Sequence, residues 1–243
     1  NNLSIITEKN KKVLSTSNQI RIVNQIIEFL NSKLEPYPHD NILLSNLDLK
    51  KYPIYGLNTL PSFFTPFSKQ FKYELNLVKN LAKHYLVQHL KMNPSDDYWL
   101  LMGFENILLR QYVEQFYKTE KLIGSLSDVW GIRSYNLAKL DFNAQYHLTY
   151  LHMIRTGRDQ ALNSPKDKLI KFNANLSSKY KAAKGLLYLE DYIEDSSVNQ
   201  WMKEFIFDTN KAHKTTDSFK SYIKSKTEKN IDWFFESYTT KSM

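Results

Sequence analysis

The sequence predicts a mainly α-helical fold with a modest strand component, and three observations carry that expectation. Glycine and proline are scarce, six and seven in 243 residues, so few points break a helix. Long stretches repeat their apolar residues every three to four positions, the period of a helix face. Only one short segment, Asn41 to Leu47, is branched-aliphatic and bounded by turn-formers in the manner of a strand.

Val23, Ile26, Ile27, Leu30 and Leu34 form the first apolar stripe, and Pro36 ends that helix. After the strand candidate, Lys51 to Pro66 sets Pro53, Gly56, Pro61 and Pro66 among aromatic residues and reads as an ordered loop. A helix follows from about Phe71 to Lys91, with a break at Asn93-Pro94-Ser95. There Ser95 is the expected cap of the next helix, and Asp96 and Asp97 suit its first turn. That long helix carries Trp99, Phe104, Leu108, Tyr112 and Phe116, and Gly124 to Asp141 is the least regular stretch. Helices resume near Ala144 to Arg155, Ser177 to Tyr192, Val198 to Asn210 and Thr216 to Lys226, the last capped by Thr215-Thr216-Asp217. A short final helix includes Asp232-Trp233-Phe234-Phe235. No repeat or low-complexity linker interrupts the chain, so residues 1–243 read as one domain: a sheet portion to about residue 66 and a helical portion from about 67.

Composition removes several function classes. Without cysteine, thiol catalysis and cysteine-type zinc knuckles are excluded. The net charge of +8 comes from dispersed lysines, with one tight cluster at Lys9, Lys11 and Lys12. Nucleic-acid recognition is not expected, because the five arginines, at 21, 110, 133, 155 and 158, sit in no recognition motif. No apolar run approaches the roughly 20 residues of a membrane span. The start, Asn1-Asn2-Leu3, carries neither methionine nor a signal-like segment, so an excerpt or a processed form is expected.

Several strings, in order, are similar to the catalytic domain of the gluzincin zinc aminopeptidases, the alanyl-aminopeptidase and leukotriene-hydrolase type. Leu34-Glu35-Pro36-Tyr37-Pro38 stands before the strand where the family has a PYP turn. Asn80-Leu81-Ala82-Lys83-His84 precedes Trp99-Leu100-Leu101-Met102-Gly103-Phe104 as the family's HELxHxW helix precedes WLNEGF. Ala182-Ala183-Lys184-Gly185-Leu186 resembles a Y-x-K-G-A helix, and Thr215-Thr216-Asp217-Ser218-Phe219 with Trp233-Phe234-Phe235 resembles the domain's end. The resemblance runs from about Ile20 to Tyr238. It implies a thermolysin-like α+β fold, a small N-terminal sheet followed by a helical bundle.

A gluzincin site needs two imidazoles one helical turn apart, a carboxylate between them as base, and a carboxylate from the next helix as third ligand. On the resemblance those positions fall at Asn80, Leu81, His84 and Met102, and only the histidine survives. The register could be off by one, because His84 to Met102 is one residue shorter than the family's spacing. No histidine precedes a glutamate, so no HExxH exists in any register. His84 and His89 are about 140° apart around a helix and cannot share a metal, and His147 and His152 fail by the same spacing. His89 reads as a hydrogen-bonded, half-buried residue. Leu81 and Met102 suit apolar burial, which a glutamate without its metal would not.

The family's transition-state tyrosine aligns with Ala182, two residues from Tyr180, and its amine-binding strand has only a weak echo in Gly56-Leu57-Asn58. Tyr85, Trp99 and Tyr180 are the candidate lining of a residual cleft. Gly131 and Gly157 are isolated, so no phosphate-cradling loop exists, and there is no G-x-S-x-G elbow. Asp96-Asp97 and Glu190-Asp191 are sequence neighbours on helices and point apart, as solvated surface does.

The expectation is a catalytically inactive metallopeptidase-like domain without cofactor, serving as a protein-binding or scaffolding subunit. The 16 tyrosines and 14 phenylalanines would supply its contact anchors where exposed. Asn-, Lys-, Ile- and Tyr-rich usage suits an AT-rich bacterial genome, and the family's habits suggest an outer-membrane or surface complex of the cell envelope. Two rivals stand beside it: an active zinc peptidase with unrecognised ligands, and a polyanion or membrane-surface binder driven by net charge.

Overall fold

A computed structural model describes residues 4–7, 14–44, 66–194, 197–207 and 214–242. Strands β1 (Ser4–Thr7) and β2 (Asn41–Leu44) pair in parallel with Ser4 opposite Asn41 and Thr7 opposite Leu44. A parallel pair needs a crossover, and helix α1 (Thr16–Lys33) supplies it. The predicted strand thus begins at Asn41 as expected, while its last residues, 45–47, and the loop predicted over 51–65 lie outside the described residues. Ile42 and Leu44 point into the core and Leu43 outward, the alternation of a half-covered sheet.

Ser15 caps α1 by accepting from the Asn18 amide, and the helix stops at Lys33, ahead of Pro36. Its buried line is Ile22, Ile26, Phe29 and Leu30, so Val23 and Ile27 flank the contact rather than lead it. Helix α2 (Lys69–Leu90) starts behind Ser68, whose hydroxyl accepts from the Phe71 amide at 3.0 Å. It closes on Lys91 in the left-handed region at φ 49°.

Helix α3 (Tyr98–Phe116) is buried on every side from Tyr98 to Leu109, the signature of a central core helix. Its predicted cap is corrected: Ser95 lies in the preceding turn, where its amide donates to Asn93 Oδ1. Asp97 holds the cap position without a capping bond of its own, because its carboxylate accepts from the Thr216 amide at 2.7 Å and so anchors a distant helix start.

The stretch from residue 124 to 141 is irregular as predicted, with a 3-10 turn at Gly124–Asp128 and a single-turn helix α4 (Asn136–Lys139). Gly124 has φ +53°, and a Cβ there would lie 2.4 Å from the Pro66 carbonyl oxygen, so only glycine fits. Helix α5 (Ala144–Arg155) follows. A π-helical turn at Asn173–Ser177 runs directly into α6 (Ser178–Ile193), and α7 (Val198–Phe207) is described as far as Phe207. Helix α8 (Thr216–Lys224) opens with a capping box between Thr215 and Ser218. The predicted terminal helix is a π-helical turn, Phe234–Tyr238.

Helix α3 packs most extensively against α6 and next against α2. The approach to α6 is close because Gly103 faces Ala182 and Leu186: a Cβ on Gly103 would meet Leu186 Cδ1 at 2.9 Å. On the α1 side, the buried carboxylate of Glu74 accepts from Tyr112 at 2.9 Å, from Gln25 at 3.1 Å and from the Tyr117 hydroxyl. One carboxylate thereby ties α1, α2 and α3 together, and its desolvation is offset by three donors.

Candidate cation-lined cavity

The cavity that α2, α3 and α6 leave between them mixes charged side chains with a mostly apolar wall. Helix α2 contributes Lys79, Asn80, Lys83 and Val87; α3 and the turn before it contribute Pro94, Tyr98, Leu101, Met102 and Glu105. Lys179 enters from α6 and Lys166 from the loop ahead of it. The volume is about 60 Å³, room for a few waters or one small polyatomic ion.

Lys79, Lys179 and Glu105 are buried, Glu105 at 2% exposure, while Lys83 and Lys166 are half-buried. Lys179 Nζ donates to Glu105 Oε1 at 3.5 Å. Lys166 Nζ stands 5.2 Å from the centre of the Tyr98 ring, whose hydroxyl is fixed by donation to the Ala174 carbonyl. Asn80 is held by a bond from its Nδ2 to the Asn76 carbonyl at 2.8 Å.

Burial first, and then the Lys179 and Lys83 charges against an opposing Glu105, lower the Lys79 pKa to about 7. The described lining thus carries four lysines against one carboxylate. Near neutrality Lys79 is therefore partly in its uncharged amine form.

The positions named from the sequence separate into two sets. Asn80 and Met102 line the cavity, together with Lys79 and Lys83. Leu81 is fully buried in the apolar core and His84 is half-buried, and neither belongs to the lining. The candidate cleft residues are also absent from it. Tyr85 is buried, donates to Asn31 Oδ1 at 3.1 Å, and has its phenol pushed up to about 12, mainly by burial. Trp99 is buried against Phe234 and donates to the Thr216 hydroxyl at 3.1 Å. Tyr180 packs edge-on to Tyr146, with ring centres 4.6 Å apart, in a small satellite cluster. Ala182 lies where α6 meets Gly103. His89 is half-buried beside Tyr85 as expected, but its buried Nε2 makes no hydrogen bond. Gly56-Leu57-Asn58 lies outside the described residues.

The donors present do not fit zinc. Amines, an amide, a thioether, a phenol and a single carboxylate line the cavity, and among the described residues no group of three His, Asp or Glu could hold a metal. A divalent ion about 4 Å from one ammonium would meet on the order of 8 kcal/mol of repulsion at an effective dielectric of 20. The lysines are what residue-type reading passes over. Their signal in the sequence is the i, i+4 pair Lys79 and Lys83 beside Asn80, whereas the convergence of Lys166 and Lys179 is tertiary.

No family model, curated protein or solved structure matches the chain. No helix among the described residues is long and apolar enough to cross a membrane.

Proposed function

We propose that this chain is a catalytically inert metallopeptidase-like module that acts by binding other protein subunits, with lysines standing at its metal-ligand positions. The observation that carries the reading is that Lys79, Asn80, Lys83 and Met102 face one cavity. Shifting the gluzincin register by one residue places Lys79 and Lys83 at the two imidazoles, Asn80 at the base and Met102 at the third ligand. The shift also removes the one-residue deficit, because Lys83 stands one position further from Met102 than His84 does. Amide and thioether supply no general base, and ammonium groups supply no metal ligand.

Contact-making is supported by the surface. Most aromatic residues fill the core, but Trp130 is 83% exposed, with Val129, Tyr135 and Leu137 exposed on the same segment. Apolar and aromatic groups of this kind anchor interfaces, and an envelope complex is the assembly proposed for them. Zinc content of the purified chain, measured beside cleavage of aminoacyl reporter substrates, tests the reading. Neither bound zinc nor turnover is expected; stoichiometric zinc with turnover would overturn it.

A further inference from the structure

We infer that the turn at Trp130 is a membrane-surface anchor: Trp130, with Val129, Tyr135 and Leu137 on the same segment, enters the head-group region of an anionic lipid bilayer, where Arg133 and Lys139 meet the phosphates. The inference rests on the contact-making reading of that segment, for which it names the occupant, and is independent of the vestigial zinc site.

The segment is fastened at its base and projects at its tip. Its two ends are pinned together: the Leu122 amide donates to the Leu140 carbonyl and the Phe142 amide to the Glu120 carbonyl, both at 2.9 Å. Between those ends the Ile132 and Arg133 amides both donate to the Val129 carbonyl, at 2.8 and 2.9 Å, so Trp130 and Gly131 form the corner of a tight turn. A Cβ on Gly131 would meet nothing within 4 Å, which sets that corner clear of the rest of the chain. Trp130 is 83% exposed there, and among the described residues its indole has neither a ring contact nor a hydrogen bond.

Size and charge choose the occupant. The four exposed apolar and aromatic side chains together offer on the order of 500 Å², short of the roughly 800 Å² per partner of a standard protein interface. A bilayer needs no matching surface: tryptophan and tyrosine settle at the level of its head groups, and a small apolar insertion becomes stable attachment when cations join it. From Val129 to Leu140 the segment carries Arg133 and Lys139, both exposed, and no carboxylate. Asp128 stands just ahead of it, and Asp141 just beyond is paired with Lys121 at 2.7 Å. The net charge of +8 favours approach to an anionic surface. Net charge alone would adsorb the chain by any basic face, whereas a projecting tryptophan flanked by cations fixes one face and buries one ring.

The test is co-sedimentation with vesicles of phosphatidylcholine and phosphatidylglycerol in equal parts, beside vesicles of phosphatidylcholine alone, with tryptophan emission read on the same mixtures. Of the four tryptophans, Trp99 and Trp201 are buried and Trp233 is 36% exposed, so a blue shift on binding reports chiefly Trp130. The natural chain is expected to bind the anionic vesicles with that shift and the neutral ones more weakly. W130A, a change at an exposed side chain that leaves the core intact, is expected to lose the shift and about tenfold in partition coefficient. R133Q and K139Q are expected to lose about fivefold each on the anionic vesicles. Y188A removes an exposed ring from α6 instead and is expected to bind as the natural chain does. No binding, equal binding by W130A, or binding without a blue shift would overturn the proposal, the last by assigning attachment to net charge alone. Dimerisation seen by light scattering without lipid, and lost in W130A, would also overturn it by giving the segment to a second copy of the chain. Stoichiometric zinc with turnover would sink the inert-module reading and leave the vesicle result untouched.

Discussion

Lys79 and Lys83 stand one helical turn apart on α2 and line the same cavity, with Met102 of α3 also in its wall. Burial is the main cause that lowers the proton affinity of Lys79; the Lys179 charge adds to it, Glu105 opposes, and the Lys83 charge is the smallest contribution. Its environment makes the stability of the fold sensitive to pH.

Lys79 has a pKa of about 7 in the fold and an ordinary 10.5 when unfolded. Between those values the unfolded chain binds more protons, so unfolding free energy rises with pH, by at most about 1.4 kcal/mol per unit. Below about pH 7 both states are protonated and the whole penalty persists. Urea unfolding from pH 6 to 9.5 is expected to show this rise. K79M is expected to flatten it and to stabilise the protein at pH 6.5 by on the order of 1–3 kcal/mol. An unchanged slope in K79M would assign the pH dependence to other groups.

Lys181 is fully buried on α6 and pairs with Asp159 at 2.6 Å, while donating also to the Lys241 carbonyl at 3.1 Å. This pair fastens the loop before α6 and the C-terminal segment to one helix. K181M removes the buried ammonium that bonds the Asp159 carboxylate and is expected to cost about 3–5 kcal/mol in denaturant unfolding. A second change, D159L with K181M, is expected to recover part of that loss.

Gly103 lies in the middle of a buried helix, where alanine would ordinarily be favoured by about 1 kcal/mol. Its added Cβ would instead meet Leu186 at 2.9 Å and Ala182 at 3.2 Å. G103A is expected to lower stability by about 1–3 kcal/mol. G131A, where a Cβ meets nothing within 4 Å, is expected to be neutral within about 0.5 kcal/mol.

Y112F removes one donor from Glu74 and one acceptor from Gln25, whose Nε2 donates to the Tyr112 hydroxyl at 2.8 Å. Because Gln25 and Tyr117 still donate to the carboxylate, the expected cost by thermal unfolding is about 1–2 kcal/mol rather than that of an orphaned charge.

Helix positions were legible because periodicity and caps act locally: Thr215 is a cap read from the sequence, and the α8 start matches its prediction at Thr216, whereas the Ser68 cap of α2 came from the structure. Strand β1 was not, since four residues pairing across a helix carry little local pattern. The Ser95 cap failed because Asp97 bonds Thr216, 119 positions away, a contact that no window contains. Tyr85, Trp99 and Tyr180 are aromatic residues whose polar or ring partners lie on other elements, so composition alone could not tell core from cleft. The resemblance to a zinc site anchors on His84 by residue type, and the spacing to Met102 already leaves that register open by one. The neighbouring register is proposed because Lys79, Asn80, Lys83 and Met102 line one cavity.

That register is open to one direct measurement, the zinc stoichiometry of the folded K79H/N80E/K83H/M102E variant beside the natural chain. The account predicts about one tightly held zinc per variant chain and none in the natural one, since imidazoles and a carboxylate would then occupy the ligand geometry of a gluzincin site. A folded variant that holds no zinc, or a natural chain that holds one per molecule, would contradict it.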